Sequence, residues 1–234
     1  GWRPRHALLF RGDELVAAAP AYLKDNSHGE FVFDHAWAHA YAHYGVPYYP
    51  KWLAAVPYSP VTGPRVLAKD AAAQRELLEA MLQRLHADGL SSLHFNFLPD
   101  EELPAFDERW LARGDVQFQW RNEACWRDFD GFLAAFSSRK RKNLRAERAQ
   151  VRRAGVDFRI VHGDEASPAD LADMHRFYCL TQHDKGNRPA LTPEFFRHLA
   201  CEMPRSLVLV LAHQQGRTIA GALCLRGADT LYGR

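Results

Sequence analysis

The sequence predicts an α/β protein, α+β in some classifications, with mixed sheets flanked by helices in two domains. Three observations predict this class. Strand-like and helical patterns alternate along the chain. A composition of 47% hydrophobic and 25% charged residues is typical of a globular chain and excludes disordered, collagen-like and disulfide-stapled classes. The length of 234 residues fits one or two domains, and we place the boundary between residues 1–122 and 123–234.

The first domain opens with a predicted β-hairpin. Its turn, Arg11-Gly12-Asp13, joins strands at 6–10 and 14–23. A helix follows at 35–44, with Asp34 as its N-cap. Five prolines keep residues 46–68 extended and out of helical conformation.

Helices and strands then alternate. Apolar side chains at helical spacing predict a helix over 71–88: Leu77, Leu78, Met81, Leu82 and Leu85. Apolar and polar residues alternate over 92–98, which predicts a strand. A helix is expected at 101–113 and a strand at 116–120.

The second domain repeats this style with four helices and four strands. The predicted helices cover 129–136, 138–154, 168–182 and 192–201. The predicted strands cover 156–161, 206–213, 218–225 and 229–234. Because the chain ends inside a strand-like segment, we expect a piece of a longer chain whose second domain is truncated.

The positive charge is concentrated in one segment. Residues 1–123 hold 12 basic and 16 acidic residues, whereas residues 124–234 hold 18 and 12. Residues 139–153 alone contain eight lysines and arginines and one acid, Glu147. A local patch of this kind predicts a local anionic partner.

This basic segment is the strongest candidate site. Four cations, Arg139 to Lys142, occupy the first helical turn, where the helix dipole is already positive. Together with Ser137, Ser138 and free backbone N–H groups, they predict a phosphate site. Steps of four, three and four place Arg141, Arg145, Arg148 and Arg152 on one face. The alternative is a solvated basic helix with no ligand.

Two further candidates lie outside this helix. Lys185 and Arg188 occupy a glycine-containing loop and form a second anion contact or only a polar surface. Lys51 follows Tyr48-Tyr49-Pro50 in a rigid aromatic segment, which forms either the wall of a substrate groove or a structural wall. In the first case Lys51 is expected to bind the anionic substrate.

Three histidines at steps of four, His35, His39 and His43, share one helical face. Adjacent pairs have metal-ligand spacing, but only Asp34 is near enough in sequence to complete a site. We therefore predict a polar stripe and no metal.

The cysteines and the hydropathy indicate the compartment. The four cysteines have no CxxC spacing and form no disulfide framework, so we expect reduced, mostly buried thiols. The longest aliphatic run, 207–212, is far shorter than the roughly 20 residues of a membrane helix. We expect a cytoplasmic protein without membrane insertion. GxSxG, HExxH, Walker and GxGxxG motifs are absent from the sequence.

Several segments together resemble a bacterial FemAB-like family, often described as peptidoglycan biosynthesis/recognition proteins of the GNAT superfamily. They are Ala19–Lys24, Ser27–Asp34, Trp37–Tyr41, Tyr48–Lys51, Val56–Arg65, Phe136–Arg145, Ile219–Leu223 and Leu231–Arg234. The resemblance implies two GNAT-like (acyl-CoA N-acyltransferase-like) domains in tandem. Members begin earlier and end later than this chain, which would then lack parts of both domains.

The resemblance also implies an acyltransferase. Better-known Fem relatives move an aminoacyl group from charged tRNA to the amine of a peptidoglycan precursor. Their similar basic motif lies near a phosphate-rich, nucleotide-linked substrate, which carries over to Lys140, Lys142, Asn143 and Arg145.

We therefore expect N-acyl or aminoacyl transfer to an amine, on a cell-wall precursor or another phosphate-bearing substrate. Acyl-CoA and aminoacyl-tRNA are the candidate acyl donors, and tRNA is a candidate partner. The alternative is a non-catalytic module that binds RNA or a nucleotide sugar through helix 138–153. The sequence does not identify a catalytic base.

Overall fold

Two compact units divide the chain. The computed structural model describes residues 1–233. The first unit covers Gly1–Gln117, and the second begins at Phe118. The assignment of residues 1–122 and 123–234 as GNAT-like domains stays a prediction.

The first unit contains two small sheets. Its strands are β1 (Trp2–Pro4), β2 (Ala7–Arg11), β3 (Glu14–Ala19), β4 (Ala21–Lys24), β5 (Lys51–Ala54), β6 (Leu67–Ala68) and β7 (Leu93–Phe95). One sheet has the order β1-β4-β5-β7 and is mixed, because β5 and β7 run parallel. The other has the order β2-β3-β6 and is antiparallel.

The predicted hairpin is confirmed, but its second strand is divided. Strands β2 and β3 pair with Arg11 opposite Glu14, and Gly12 takes a φ of 61° in the turn. Pro20 separates β3 from β4, so the single strand predicted at 14–23 is wrong. Proline has no backbone N–H to continue a ladder, and the two strands belong to different sheets.

The helices of this unit are α1 (His35–His43) and α2 (Ala71–Ala87), both where they were predicted. Helix α2 buries Leu77, Leu78 and Met81 in a core formed with the strands. Burial of one such side chain stabilises the fold by about 1.5–3 kcal/mol.

The helix predicted at 101–113 is wrong. Only a 3-10 helix is present, at Asp100–Ala105, with Pro104 inside it. Proline removes a backbone donor and disfavours helical conformation at the preceding residue. Phe106 and Trp110 instead pack edge-on against Phe95, at ring distances of 5.2 and 5.5 Å. The strand predicted at 116–120 does not form either.

The second unit follows the predicted order. It contains α3 (Phe129–Ala134), α4 (Ser138–Arg153), β8 (Val156–His162), α5 (Pro168–Asp184), α6 (Pro193–Glu202), β9 (Leu207–Gln214), β10 (Arg217–Arg226) and β11 (Leu231–Gly233). The last predicted strand extended to Arg234, which lies outside the described residues. The sheet order is β11-β10-β9-β8, and every pairing is antiparallel.

Helices α5 and α6 contribute to the core of the second unit. Phe196 of α6 and Leu209 of β9 are fully buried there. Ser167 and Asp170 form a capping box at the start of α5, with Pro168 in the first turn as the sequence predicts.

Two further findings concern the cysteines and the helices. The four cysteines are free, but Cys125 and Cys201 are exposed, so the expectation of mostly buried thiols is only partly correct. Within residues 1–233, none of the helices has the length and apolar character needed to cross a membrane.

Candidate functional site

Helix α4 presents its charge to solvent along its whole length. Ser137 is the N-cap, and its hydroxyl accepts a hydrogen bond of 3.4 Å from the backbone N–H of Lys140. The first turn contains no acidic residue, and the helix buries no side chain. The sequence predicted both the start of this helix and the crowding of cations at its positive end.

The ion pairs of α4 lie beyond its first turn. Arg145 lies 3.4 Å from the carboxylate of Asp130. The guanidinium of Arg148 stacks over the ring of Phe129 at 4.0 Å. Among the described residues, no carboxylate lies within 4 Å of the four cations in 139–142. These four charges are therefore available to an anion.

An open cavity of about 480 Å³ lies beside this helix. Its lining residues come from α3, its N-cap and α4, and they are Asp128, Phe129, Asp130, Leu133, Arg145, Arg148 and Arg152. The predicted arginine face thus supplies three of its four members. Of the phosphate-binding residues predicted on this helix, only Arg145 lines the cavity. The others are exposed nearer the start of the helix: Ser138, Arg139, Lys140, Lys142 and Asn143.

A second cavity of about 420 Å³ shares Asp128 and Phe129 with the first. Its other lining residues are Trp120, Trp126, Arg127 and Phe132. The rings of Trp120 and Trp126 stack with centroids 6.3 Å apart. In the sequence, Trp126, Phe129 and Phe136 lie near the basic helix and support the alternative of a polyanion-binding module. Trp120, Arg127 and Phe132 were not predicted, because the packing of α3 against neighbouring loops has no local sequence signal.

The two loop cations occupy a separate position in the chain. Lys185 is the C-cap of α5, and its backbone N–H bonds to the carbonyl of Thr181. Arg188 lies exposed in the loop that follows. Neither residue lines the two cavities. Their contact with an anion stays a prediction.

Lys51 lies in the first unit with its side chain completely buried. Its ammonium donates hydrogen bonds to Glu30 at 2.7 Å, to Ser27 at 2.9 Å and to Asp34. A buried ammonium with three partners is a structural group, so the expectation that Lys51 binds an anionic substrate does not fit its surroundings.

Lys24 completes a buried cluster of two cations and two carboxylates with Lys51, Glu30 and Asp34. Its ammonium lies 3.8 Å from Glu30 and donates a hydrogen bond of 3.0 Å to the carbonyl of His28. The opposite charges balance inside the unit. The sequence did not predict this cluster, although a lysine directly before the apolar run 52–55 was a signal for it.

Burial and pairing shift the titration of this cluster in different directions. Burial raises the pKa of Glu30 and lowers the pKa of Lys24, in each case against the effect of the opposite charge. Burial also acts to raise the pKa of Asp34. Hydrogen bonds from Lys51 and Tyr48 outweigh it and leave that pKa well below its usual range.

Asp34 was predicted to be the N-cap of α1, and its position is confirmed, but its side chain does not cap the helix. Its carboxylate accepts a hydrogen bond of 2.6 Å from the hydroxyl of Tyr48 instead. The pairing with Lys51 and Tyr48 therefore determines where this carboxylate points.

The three histidines lie exposed on α1. In the part of the chain that the structure describes, no group of three or more His, Cys, Asp or Glu side chains is arranged to hold a metal ion. His35, His39 and His43 lie at steps of four along this helix.

The fold and this site define a class: an α/β protein whose second unit displays a cationic helix beside an aromatic cavity. The chain belongs to the FemAB-like family, described as peptidoglycan biosynthesis/recognition, whose model matches residues 1–234. The resemblance drawn from the sequence is thereby confirmed at the level of the family.

The chain was also compared with curated proteins and with solved structures. No curated protein matches the chain. Among solved structures, it is similar to the C-terminal domain (DUF2156) of a protein described as a lysylphosphatidylglycerol synthetase from Agrobacterium fabrum, with a TM-score of 0.44 and 12% identity. The match covers 97% of this chain and 60% of that one, so the chain spans less than two thirds of the length of that structure.

Proposed function

We propose that this protein transfers an acyl or aminoacyl group to an amine, on a cell-wall precursor or another phosphate-bearing substrate. Membership of the FemAB-like family supports a role in peptidoglycan chemistry. The observation that carries the proposal is the first turn of α4. It holds four cations with no carboxylate within 4 Å among the described residues.

Such a turn is suited to a phosphate group. A helix N-terminus offers backbone N–H groups and partial positive charge, and Lys140 and Lys142 add full charges. In the proposal, Ser138 and Asn143 donate hydrogen bonds, and Arg139 and Arg145 add charge on either side. Because cations at this end destabilise an empty helix, a bound anion removes a cost that the free protein carries.

The transfer step requires more than a phosphate anchor. A neutral amine attacks the acyl carbonyl, the bond to the donor breaks, and the amine loses its proton. An enzyme accelerates this step by holding the two groups in line and stabilising the developing oxyanion. In our proposal, α4 helps to hold the amine and the acyl group in line, because it binds the phosphate end of the substrate.

The proposal includes two GNAT-like domains in tandem, with acyl-CoA or aminoacyl-tRNA as donor and tRNA as a candidate partner. The antiparallel sheet of the second unit, packed against helices α5 and α6, is consistent with an acyltransferase-like core. Lys185 and Arg188 are retained as a second anion contact. Lys51 is left out, because its ammonium is buried and paired.

A non-catalytic polyanion-binding module is the second candidate. One observation favours it: α4 buries no side chain, so its arginine face is presented openly, as in proteins that bind nucleic-acid backbones. In that case RNA or a nucleotide sugar would bind along residues 138–153 without reaction.

The decisive experiment compares binding with turnover. Wild-type protein and the variant Lys140→Glu/Lys142→Glu are incubated with an amine acceptor on a UDP-linked peptidoglycan precursor and with labelled aminoacyl-tRNA or acyl-CoA. Transfer by the wild type that the variant loses supports the acyltransferase. Retention of UDP precursor or RNA without transfer from either donor supports the binding module. The variant Arg75→Glu/Arg217→Glu, which alters two exposed cations elsewhere, is the matched control.

A further inference from the structure

A cluster of aromatic side chains on the second unit has no part in the proposed transfer reaction. We call Trp120, Trp126, Phe129 and Phe132 the aromatic patch. Trp126 and Phe132 contact edge to face at 5.2 Å, and Trp120 is 67% exposed. Phe118, two residues before Trp120, is fully exposed. Contiguous exposed apolar patches often mark interaction sites.

Arginines adjoin this patch directly. The guanidinium of Arg148 lies 4.0 Å from the ring centroid of Phe129. Phe129 and Asp128 line both the aromatic cavity and the arginine cavity. The apolar and cationic surfaces are therefore continuous, with Phe129 at their boundary.

The carboxylates on this surface are already engaged. Asp128 caps α3 by accepting a hydrogen bond of 2.7 Å from the N–H of Gly131. Asp130 lies 3.4 Å from Arg145. Within residues 1–233, no carboxylate comes within 4 Å of Arg127, Arg148 or Arg152. The surface beside the aromatic patch is cationic overall.

We propose that this face docks on the surface of a lipid bilayer that contains anionic phospholipids. Tryptophan and phenylalanine are favoured at the depth of the headgroups, where arginine contacts lipid phosphates. Charge complementarity and continuity of the two surfaces therefore fit one partner. The docking needs no spanning helix and is independent of the transfer reaction.

The ring geometry favours a bilayer over a single-stranded nucleic acid. Bases stack on open aromatic faces. Here Trp120 and Trp126 are stacked on each other with their planes 27° apart, and Phe132 meets Trp120 at 79°. Part of the ring faces of Trp120, Trp126 and Phe132 is therefore already occupied within the patch, which leaves less open face on which a base could stack.

Sedimentation with vesicles tests the proposal. The whole chain is mixed with vesicles of phosphatidylcholine alone and with vesicles containing equal parts of phosphatidylglycerol. We expect binding to the anionic vesicles that falls as salt rises. The variant Phe118→Ser/Trp120→Ser should bind about tenfold more weakly, because it removes Phe118 and the most exposed ring of the aromatic patch. Phe118→Ser alone should weaken binding without endangering the fold.

Matched variants distinguish binding through this face from nonspecific binding of exposed aromatic or basic side chains. Phe33→Ser/Trp37→Ser removes two exposed rings of the first unit, 70% and 48% exposed, and should leave vesicle binding unchanged. Arg148→Ala/Arg152→Ala should weaken binding to anionic vesicles, whereas Arg75→Ala/Arg217→Ala should not.

Four results would overturn the proposal. One is equal binding to neutral and anionic vesicles, and another is full binding by the folded Phe118→Ser/Trp120→Ser variant. The third is that the protein binds polyuridylate but no vesicles, and that the aromatic variants lose the binding of polyuridylate. This result would assign the face to RNA. The fourth is that the wild type sediments as a dimer and does not bind vesicles, whereas the aromatic variants are monomers. This result would assign the face to a second copy of the chain.

Discussion

The ammonium of Lys51 lies 2.7 Å from the carboxylate of Glu30, and both side chains are almost completely buried. Charged side chains that are buried in this way are stable only when each is paired with an opposite charge. Asp34 and Lys24 extend the pair into a neutral cluster of four. The cluster holds strands β4 and β5 and the segment before α1 in one arrangement of the first unit.

Removal of one cation should therefore destabilise the first unit strongly. The variant Lys51→Met leaves Glu30 and Asp34 with Lys24 as the one remaining cation of the cluster. Breaking a buried pair from one side typically costs about 3–5 kcal/mol. Urea unfolding of wild type and variant measures this loss. Lys69→Met, which breaks an exposed pair with Glu14, should change stability little. If both variants lost the same small amount of unfolding free energy, the buried ion pair of Lys51 would be contradicted.

Acidification should weaken the fold through His94. Burial, and then the charge of Lys51, lowers the pKa of His94 to about 4 from its ordinary value of 6.5. As the pH falls below 6.5, the unfolded chain takes up this proton first. The stability that depends on neutral His94 is thus present above pH 6.5 and lost towards pH 4, by roughly 3 kcal/mol at most.

The variant His94→Phe keeps a ring near Tyr48 but cannot titrate. The free energy of unfolding is measured in urea at pH 7 and pH 4.5 for wild type and variant. We expect the variant to lose less stability than the wild type between these two values. His86→Phe, on the exposed side of α2, serves as the control. Identical pH dependence in all three proteins would show that His94 does not stay neutral in the folded state.

Arg65 should be equally hard to replace. Its buried guanidinium donates hydrogen bonds to the carbonyls of Val61 at 2.6 Å, Gly63 at 2.7 Å and Asn96 at 2.7 Å. Each buried acceptor left without a donor costs about 1–3 kcal/mol. Arg65→Leu should therefore lower the free energy of unfolding by at least roughly 3 kcal/mol, and Arg65→Lys by less. A loss as small as that of the exposed variant Arg75→Leu would contradict this role.

Local patterns predicted the features that depend on neighbours in sequence. The spacing of Leu77, Leu78, Met81, Leu82 and Leu85 predicted the buried face of α2, and all of them are buried except Leu82, which is partly exposed. The same reasoning placed four arginines on one face of α4, and three of them, Arg145, Arg148 and Arg152, line a cavity. A helix imposes both arrangements whatever the rest of the chain does.

Features that depend on residues far apart in the sequence were not predicted. Lys24 and Lys51 are buried because Glu30 and Asp34 meet them in space, and no periodicity encodes that meeting. The aromatic packing of Phe95 with Phe106 likewise replaced a predicted helix. The arginines that line the cavity were predicted to share one face of α4, whereas the contact of Asp130 on α3 with Arg145 was not predicted.

The charge pattern of α4 leads to a last prediction, on anion binding. Arg139 to Lys142 crowd a helix end whose dipole repels them, so phosphate or sulfate should stabilise the protein more than chloride at equal ionic strength. Saturation of one site at about 100 times its dissociation constant contributes roughly 2.7 kcal/mol. The variant Lys140→Glu/Lys142→Glu should lose this gain and keep the fold, because both side chains are exposed. Melting curves with and without phosphate measure the gain, with Arg75→Glu/Arg217→Glu as control. If the Lys140/Lys142 variant gains as much from phosphate as the wild type does, the anion binds elsewhere and the proposed site is wrong.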